Sequence, residues 1–323
     1  MSLEAKNGGS RAAADPLAAA PLAAGPLADI AAIRPGFDVI EPLGLSSPLV
    51  FSSPHSGRDY PPSFLAATKL EPLMLRRSED AHVDALFGAA AEFGAPMLRA
   101  QFPRAFLDVN REPYELDPRM FAEPLPPYAN TRSIRVAGGL GTIARVVGEA
   151  REIYQGRLSV AEGLARIEQL YKPYHAQLRQ LMQRAERNFG RAVLIDCHSM
   201  PSTLARGSRY EERLKADIVL GDRYGTSCDA SVVDAAEREL RRCGYNVVRN
   251  KPYAGGFITE HYGNVSIGWH ALQIELNRSL YMDEATMERT PGFARLAGDM
   301  ANLIEVLAHA AEGLAGDRRA AAE

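Results

Sequence analysis

Two histidines follow short apolar runs of the kind that form buried strands. His55 stands in Ser53-Pro54-His55-Ser56-Gly57, just after Leu49-Val50-Phe51-Ser52. His198 stands in Asp196-Cys197-His198-Ser199, just after Val193-Leu194-Ile195. In open α/β sheets ligands bind beyond the carboxyl ends of the strands, so two imidazoles at that edge could hold one metal ion. Neutral imidazole suits zinc, and a catalytic zinc typically takes three protein ligands and keeps one position for water. For either histidine alone, a hydrogen-bonded structural role is the alternative.

A third ligand should be a carboxylate. The segment Ser78-Glu79-Asp80-Ala81-His82-Val83-Asp84 offers several where a helix is expected to begin. Asp80 and Asp84 are spaced to share one helix face, and His82 falls on another. The same residues also suit an ordinary helix start, with Ser78 as N-cap and Glu79 and Asp80 favoured by the helix dipole. In Pro103-Arg104-Ala105-Phe106-Leu107-Asp108-Val109-Asn110-Arg111, Arg104 could polarise a carbonyl. Asn110 and Arg111 could grip a carboxylate, which the planar guanidinium fork matches; a buried salt bridge from Asp108 to an arginine is the alternative. Glu275 lies inside the apolar run Ala271–Leu276, where a carboxylate is costly unless paired or functional. It is read as a general base beside a metal site, or as the partner of Arg278. Tyr253, Gly255 and Gly256 open a glycine-punctuated loop that could wall a substrate. No dinucleotide or phosphate-loop motif is present. Neither Ser56 nor Ser199 sits in a Gly-x-Ser-x-Gly elbow, and Cys197 is read as core. Gly138-Gly139-Leu140-Gly141 could hold an anion, a weak signal by itself.

The elements that must carry these groups follow from hydrophobic periodicity. Strands are expected at 49–52, 96–100, 105–109, 193–196, 217–221, 246–249 and 271–276. Helices are expected at 80–93, at 142–187 with a break near 156–159, at 229–242 capped by Gly244, and at 283–313. Short apolar strands alternating with helices predict a three-layer α/β/α domain on a mostly parallel mixed sheet. One catalytic domain is expected over residues 36–315. Before it, residues 1–35, with prolines at 16, 21 and 26, read as a disordered or loosely attached Ala/Pro-rich extension, and 316–323 as a frayed tail.

Composition narrows the function classes. Of 323 residues 46% are hydrophobic and 24% charged, with a net charge of -3. That is ordinary globular composition, without the basic footprint of a nucleic-acid binder. No apolar run reaches the about 18 residues of a membrane span, so no membrane partner is expected. Three cysteines are too few for a disulfide framework, and a reducing, cytoplasmic location is expected.

In combination these motifs resemble the N-formylglutamate amidohydrolase family. The set is Ser53-Pro54-His55-Ser56-Gly57, Asp80-x-His82-Val83-Asp84, Leu107-Asp108-Val109-Asn110-Arg111, Asp196-Cys197-His198-Ser199, Lys251-Pro252-Tyr253-x-Gly255-Gly256 and Ile274-Glu275-Leu276-Asn277-Arg278. The resemblance spans roughly residues 45–310. It implies the phosphorylase/hydrolase-like α/β fold of zinc carboxypeptidases and aspartoacylases, and a bound Zn2+ or other divalent metal. It puts His55 and His198 on the metal, Arg104 on the scissile carbonyl, Glu275 as base, and Asn110 and Arg111, joined by Arg278, on substrate carboxylates. The carboxypeptidase-type acidic ligand lies three residues after the first histidine, which here is Arg58. The acidic ligand must come from elsewhere, and Asp80 is preferred to Glu79. The implied reaction is hydrolysis of N-formyl-L-glutamate, or a similar acidic N-acyl amino acid, to formate and glutamate, as in bacterial histidine catabolism. The alternatives are a zinc amidase or carboxypeptidase on another N-acyl amino acid or peptide, and a non-catalytic metal- or ligand-binding relative. Intact Glu275 and Arg104 favour catalysis.

Overall fold

The computed structural model describes residues 25–202 and 216–320. Its strands are β1 (Phe37–Ile40), β2 (Leu49–Ser53), β3 (Met97–Ala100), β4 (Val146–Val147), β5 (Arg151–Glu152), β6 (Ala192–Met200), β7 (Ile218–Gly221), β8 (Val247–Arg249) and β9 (Trp269–Asn277). Seven of them form one sheet in the order β1-β3-β2-β6-β9-β7-β8. The pairings β3–β2, β2–β6, β6–β9 and β7–β8 are parallel, whereas β1–β3 and β9–β7 are antiparallel. This is the mostly parallel mixed sheet expected from the sequence.

Parallel strands are covered on both faces, so they read as continuous apolar runs; β2 and β6 are buried along their whole length. Alternate residues serve opposite cores. Val50, Leu194 and Ala271 pack with Tyr174, Leu178 and Leu181 of the helix Lys172–Phe189. Leu49, Val193, Ile195, Leu272 and Ile274 pack with Val232 and Leu240 of the helix Ala230–Arg242 and with Leu303 and Ile304 of the helix Gly292–Ala320. Burying each such side chain is worth about 1.5–3 kcal/mol, and the sheet is thereby closed into three layers. The same period of two places Asp196 and His198 on the Leu194 face of β6, and Gln273 and Glu275 on the Ala271 face of β9. Both pairs face the same side.

Several expected elements differ. Residues 105–109 are not a strand: Phe106 N and Leu107 N both bond the Pro103 carbonyl, at 2.9 and 3.2 Å, making a turn. Ala105, Phe106, Leu107 and Val109 are all buried, and that apolar run mimics a strand. Residues 142–159 hold no α-helix; Val146 and Val147 pair with Glu152 and Arg151 in the small β4–β5 ladder around one 3-10 turn, Gly148–Ala150, and the α-helix starts only at Val160, where Ser159 Oγ accepts from Glu162 N at 3.1 Å. This helix runs to Phe189 through a π turn at Ile167–Tyr171, just before Pro173, which has no N–H for the regular ladder. The expected helix 80–93 is a short turn Val83–Leu86 followed by a tighter turn Gly88–Phe93. The closing helix begins at Gly292, directly after Pro291, rather than at 283, and continues to Ala320, into the segment expected to fray.

The domain also starts earlier than expected. Pro26–Ala32 is a helix whose Ile30 is fully buried, and Asp29 Oδ2 accepts from Ser63 N at 2.7 Å. The stretch from residue 26 therefore belongs to the body, while residues 1–24 of the expected extension lie outside the described residues. Among the described residues, no helix is long and apolar enough to cross a membrane.

Candidate metal centre and active site

The site grows from the carboxyl ends of β2, β6 and β9. After β2 the chain turns at His55, and Asp80 N donates to the His55 carbonyl at 2.9 Å. Ser56 Oγ donates to the Asp80 carbonyl at 3.1 Å and accepts from Asp84 N at 3.2 Å. These bonds clamp the 79–84 turn onto the strand end. Asp80 precedes the short helix rather than lying in its first turn, and the cap residue His82 takes a left-handed conformation with φ of 65°. Asp80 Oδ2 thereby reaches 3.2 Å from His55 Nδ1 and 3.0 Å from His198 Nδ1. The potential ligand atoms of the three residues all lie within 4.8 Å of one another, and the residues are 1–3% exposed.

Each histidine is oriented through its other nitrogen. His55 Nε2 lies 2.8 Å from Asp108 Oδ1, and His198 Nε2 lies 3.0 Å from Asp196 Oδ2. Such carboxylate–histidine pairs fix the tautomer and aim the free nitrogen at a metal. Asp80 Oδ1 accepts from Ser199 Oγ and Arg278 Nη2, both at 3.1 Å, leaving Oδ2 toward the histidines. Two imidazole nitrogens and one carboxylate oxygen, each held from behind, are a donor set that fits a divalent ion such as zinc. Burial works against the Asp80 charge, yet hydrogen bonds from His198 and His55 hold its carboxyl well below the usual range. Burial likewise opposes a charge on His198, but Asp196 and Asp80 raise its pKa well above the ordinary value. Negative surroundings that attract a proton also attract a metal cation.

Glu275 stands opposite His198 in the β6–β9 register, and Gln273 opposite Asp196. Gln273 Nε2 donates to Glu275 Oε1 at 2.8 Å, while Gln273 Oε1 accepts from Gly256 N at 2.7 Å. Burial pushes the Glu275 carboxyl up to about 7, with His198 pulling it down and Asp80 adding to the rise. A carboxyl near that value suits acid–base work at neutral pH. Arg104 Nε donates to Asp108 Oδ2 at 3.0 Å, and its terminal nitrogens have no hydrogen-bond partner among the described residues. Asp108 is thus both the arginine partner that its sequence suggested and the support for His55. Burial opposes its charge, but Arg111, Arg104 and His55 keep its carboxyl well below the usual range.

Some residues take other places than expected. Arg278 does not pair with Glu275, and its guanidinium is held by the protein at the cavity wall. It bonds Ser199 Oγ and Asp80 Oδ1 at 3.1 Å and the Arg77 carbonyl at 3.0 Å. Arg111 donates to the Leu140 and Asn110 carbonyls at 2.9 and 2.8 Å. Asn110 Oδ1 accepts from Ile258 N at 2.8 Å, and its amide nitrogen lies 3.4 Å from Asp196 Oδ2. All three brace the site and also line its cavity, and the Asn110 amide nitrogen lies 3.1 Å from His198 Nε2. Glu79 is buried with Tyr60 at 2.7 Å, and Asp84 pairs with Arg99 at 3.2 Å, so neither joins the cluster. His82 turns to the Met287 carbonyl. The loop after β8 does wall the cavity through Tyr253, Gly255 and Gly256, and then forms the helix Phe257–Tyr262. A Cβ on Gly256 would lie 2.5 Å from the Asn110 amide, so only glycine fits there. Sequence reading singled out neither Asp196 nor Gln273 as a site residue, although both are polar at the same period-two positions as His198 and Glu275.

These groups open into a cavity of about 720 Å³. Arg77, Arg104, Arg111, Arg135 and Arg278 contribute to its wall, which favours an anionic ligand.

Known proteins give an independent view. The family model of N-formylglutamate amidohydrolase matches residues 47–282. The N-formylglutamate deformylase of Pseudomonas aeruginosa is 30% identical over 240 residues, which is 73% of this chain and 83% of that protein. The deformylase of Pseudomonas putida is 29% identical, again over 73% of this chain and 82% of its own. The crystal structure of N-formylglutamate amidohydrolase from Ralstonia eutropha JMP134 superposes with a TM-score of 0.78 at 40% identity, covering 86% of this chain and 99% of that one. A gene product of Agrobacterium tumefaciens shares the fold at 18% identity, with a TM-score of 0.62 over 88% of this chain and 96% of that one. The family match takes in all three residues of the buried His-Asp-His cluster, and the chain belongs to the N-formylglutamate amidohydrolase family.

Proposed function

We propose that this chain is a zinc-dependent deformylase that hydrolyses N-formyl-L-glutamate to formate and L-glutamate. The observation that carries the proposal is the convergence of His55, Asp80 and His198 beside Glu275 in an arginine-lined cavity. Family membership supports the substrate, since the Pseudomonas relatives are N-formylglutamate deformylases.

His55 Nδ1, Asp80 Oδ2 and His198 Nδ1 would hold the metal. When bound, a divalent ion supplies Lewis acidity, polarising a carbonyl and lowering the pKa of water. The remaining work falls to side chains. Glu275 takes a proton from the attacking water and later returns it to the leaving nitrogen as the C–N bond breaks. The terminal nitrogens of Arg104 face the negative charge that grows on the formyl oxygen; one such donor is worth about 3–4 kcal/mol in other hydrolases. Asp108 and Asp196 keep both imidazoles aimed, and Asn110 and Arg111 keep the surrounding loops in register.

The test is formate release from N-formyl-L-glutamate by the purified chain, before and after chelation and again after adding zinc back. Release that chelation abolishes and zinc restores is expected. No release from the zinc-supplemented protein overturns the proposal.

A further inference from the structure

Of the arginines in the cavity wall, Arg278 and Arg111 are committed to protein partners, Arg104 Nε is tied to Asp108 beside the His-Asp-His cluster, and the exposed Arg77 guanidinium reaches, among the described residues, only Met74 Sδ, at 3.9 Å. Arg135 combines an open guanidinium with a buried carboxylate behind it. It lies on the short helical turn Ile134–Ala137 at the cavity margin, its side chain is 37% exposed, and its guanidinium forms no hydrogen bond among the described residues. Its one ionic neighbour is Glu115, whose Oε2 lies 3.7 Å from Arg135 Nη1. Glu115 is 3% exposed, and that oxygen is buried without a hydrogen bond. The carboxylate thus backs Arg135 electrostatically without taking up its donors.

The backing is rigid. Thr142 N donates to the Glu115 carbonyl at 2.9 Å, and a Cβ on Gly141 would lie 2.1 Å from that same carbonyl oxygen. The Gly138-Gly139-Leu140-Gly141 segment is therefore pressed onto Glu115, and Arg111 fixes its other side through the Leu140 carbonyl. An uncommitted fork on a rigid mount at the margin of a cavity is the arrangement for bidentate recognition of a carboxylate.

We propose that Arg135 is the specificity-determining residue of the cavity, taking the distal carboxylate of the substrate and selecting N-formyl amino acids with acidic side chains. This rests on the deformylase reading above. The mode of selection is a charge-assisted pair that an amide side chain cannot supply.

The test compares kcat/KM for N-formyl-L-glutamate and N-formyl-L-glutamine in zinc-supplemented parent protein, R135Q and R135K, with melting temperatures taken on the same preparations. The parent should prefer the glutamate substrate. In R135Q that preference should fall by about 10–100-fold, the range expected for losing a charged hydrogen-bond pair. The fall should come through KM on the acidic substrate. R135K, which keeps the charge but not the fork, should retain part of the preference. An unchanged ratio in R135Q, equal losses on both substrates, or a parent without preference would each overturn the role of Arg135. A parent that releases formate from neither substrate takes down the deformylase reading and this one together, and is seen before any variant is made.

Discussion

His198 and Glu275 face one another at a single register position of the parallel pair β6–β9. The pairing runs from Ala192↔Trp269 to Met200↔Asn277. A slip of one residue would turn Glu275 to the opposite face and bring an apolar side chain into the site. Register, set by the apolar alternation of both strands, therefore places Glu275 beside a residue of the His-Asp-His cluster. In the reaction proposed above, this buried carboxylate is the acid–base group.

Glu275→Gln tests that use. The amide keeps the shape and can still bond Gln273, but it cannot accept a proton. The variant should melt near the parent temperature and bind metal as the parent does, while kcat falls by about 10²–10⁴-fold. Metal content, melting temperature and kcat are measured on one preparation. Near-normal kcat in the metal-loaded variant would remove Glu275 from the chemistry.

Asp196 and Asp108 act one step behind the ligands. Replacing Asp196 with Asn keeps a partner for His198 Nε2 but weakens the pull that aims Nδ1. Affinity for zinc should drop by about 10–100-fold, as is usual when such a partner is lost. Competition with a chelator of known affinity measures it. Unchanged affinity in both D196N and D108N would show that the histidines are held by packing alone.

What sequence reading could reach followed from distance along the chain. His55, His198 and Glu275 were legible because each interrupts or ends an apolar run that could only be a buried strand. Asp196 and Gln273 carried the same alternating signal but had no obvious chemistry until the β6–β9 register paired them. The double role of Asp108 was hidden because residues 105–109 mimic a strand, and because its bond to His55 spans 53 positions. The bond from Arg278 to Asp80 was hidden for a similar reason: its sequence neighbour Glu275 offered a partner as the alternative reading, but the fold gives it Asp80, 198 positions away. The openness of Arg135 depends on what its neighbours do not contact, which no spacing encodes.

The helix Pro26–Ala32 yields a stability prediction opposite to that for a loose extension. Ile30 is fully buried against the core that backs β2 and β6. Ile30→Ala should destabilise the protein by about 2–5 kcal/mol, as large-to-small core substitutions do. Chemical denaturation of the parent and the variant measures it. A loss within experimental error would mean that this helix is not part of the cooperative unit.

His175 supplies a pH dependence that can be isolated from the metal site. Its ring lies between the Val109 carbonyl, 2.8 Å from Nε2, and the Tyr262 hydroxyl, 3.0 Å from Nδ1. Burial lowers its pKa from 6.5 to about 4, partly offset by the bond to Val109. In the unfolded chain the imidazole regains its ordinary value. Between those two values the unfolded state binds a proton that the native state does not, so stability falls as pH drops from about 6.5 towards 4 and the loss levels off below that. At about 1.4 kcal/mol per unit, the full loss from this group is no more than about 3–4 kcal/mol. Acidic side chains also titrate at the low end of this window, so the informative quantity is a difference. Unfolding free energies of the parent and of His175→Gln, taken at several pH values from neutral to mildly acidic, should converge as pH falls, because the variant lacks this proton uptake. Parallel profiles for the two proteins would show that His175 is not buried in its neutral form.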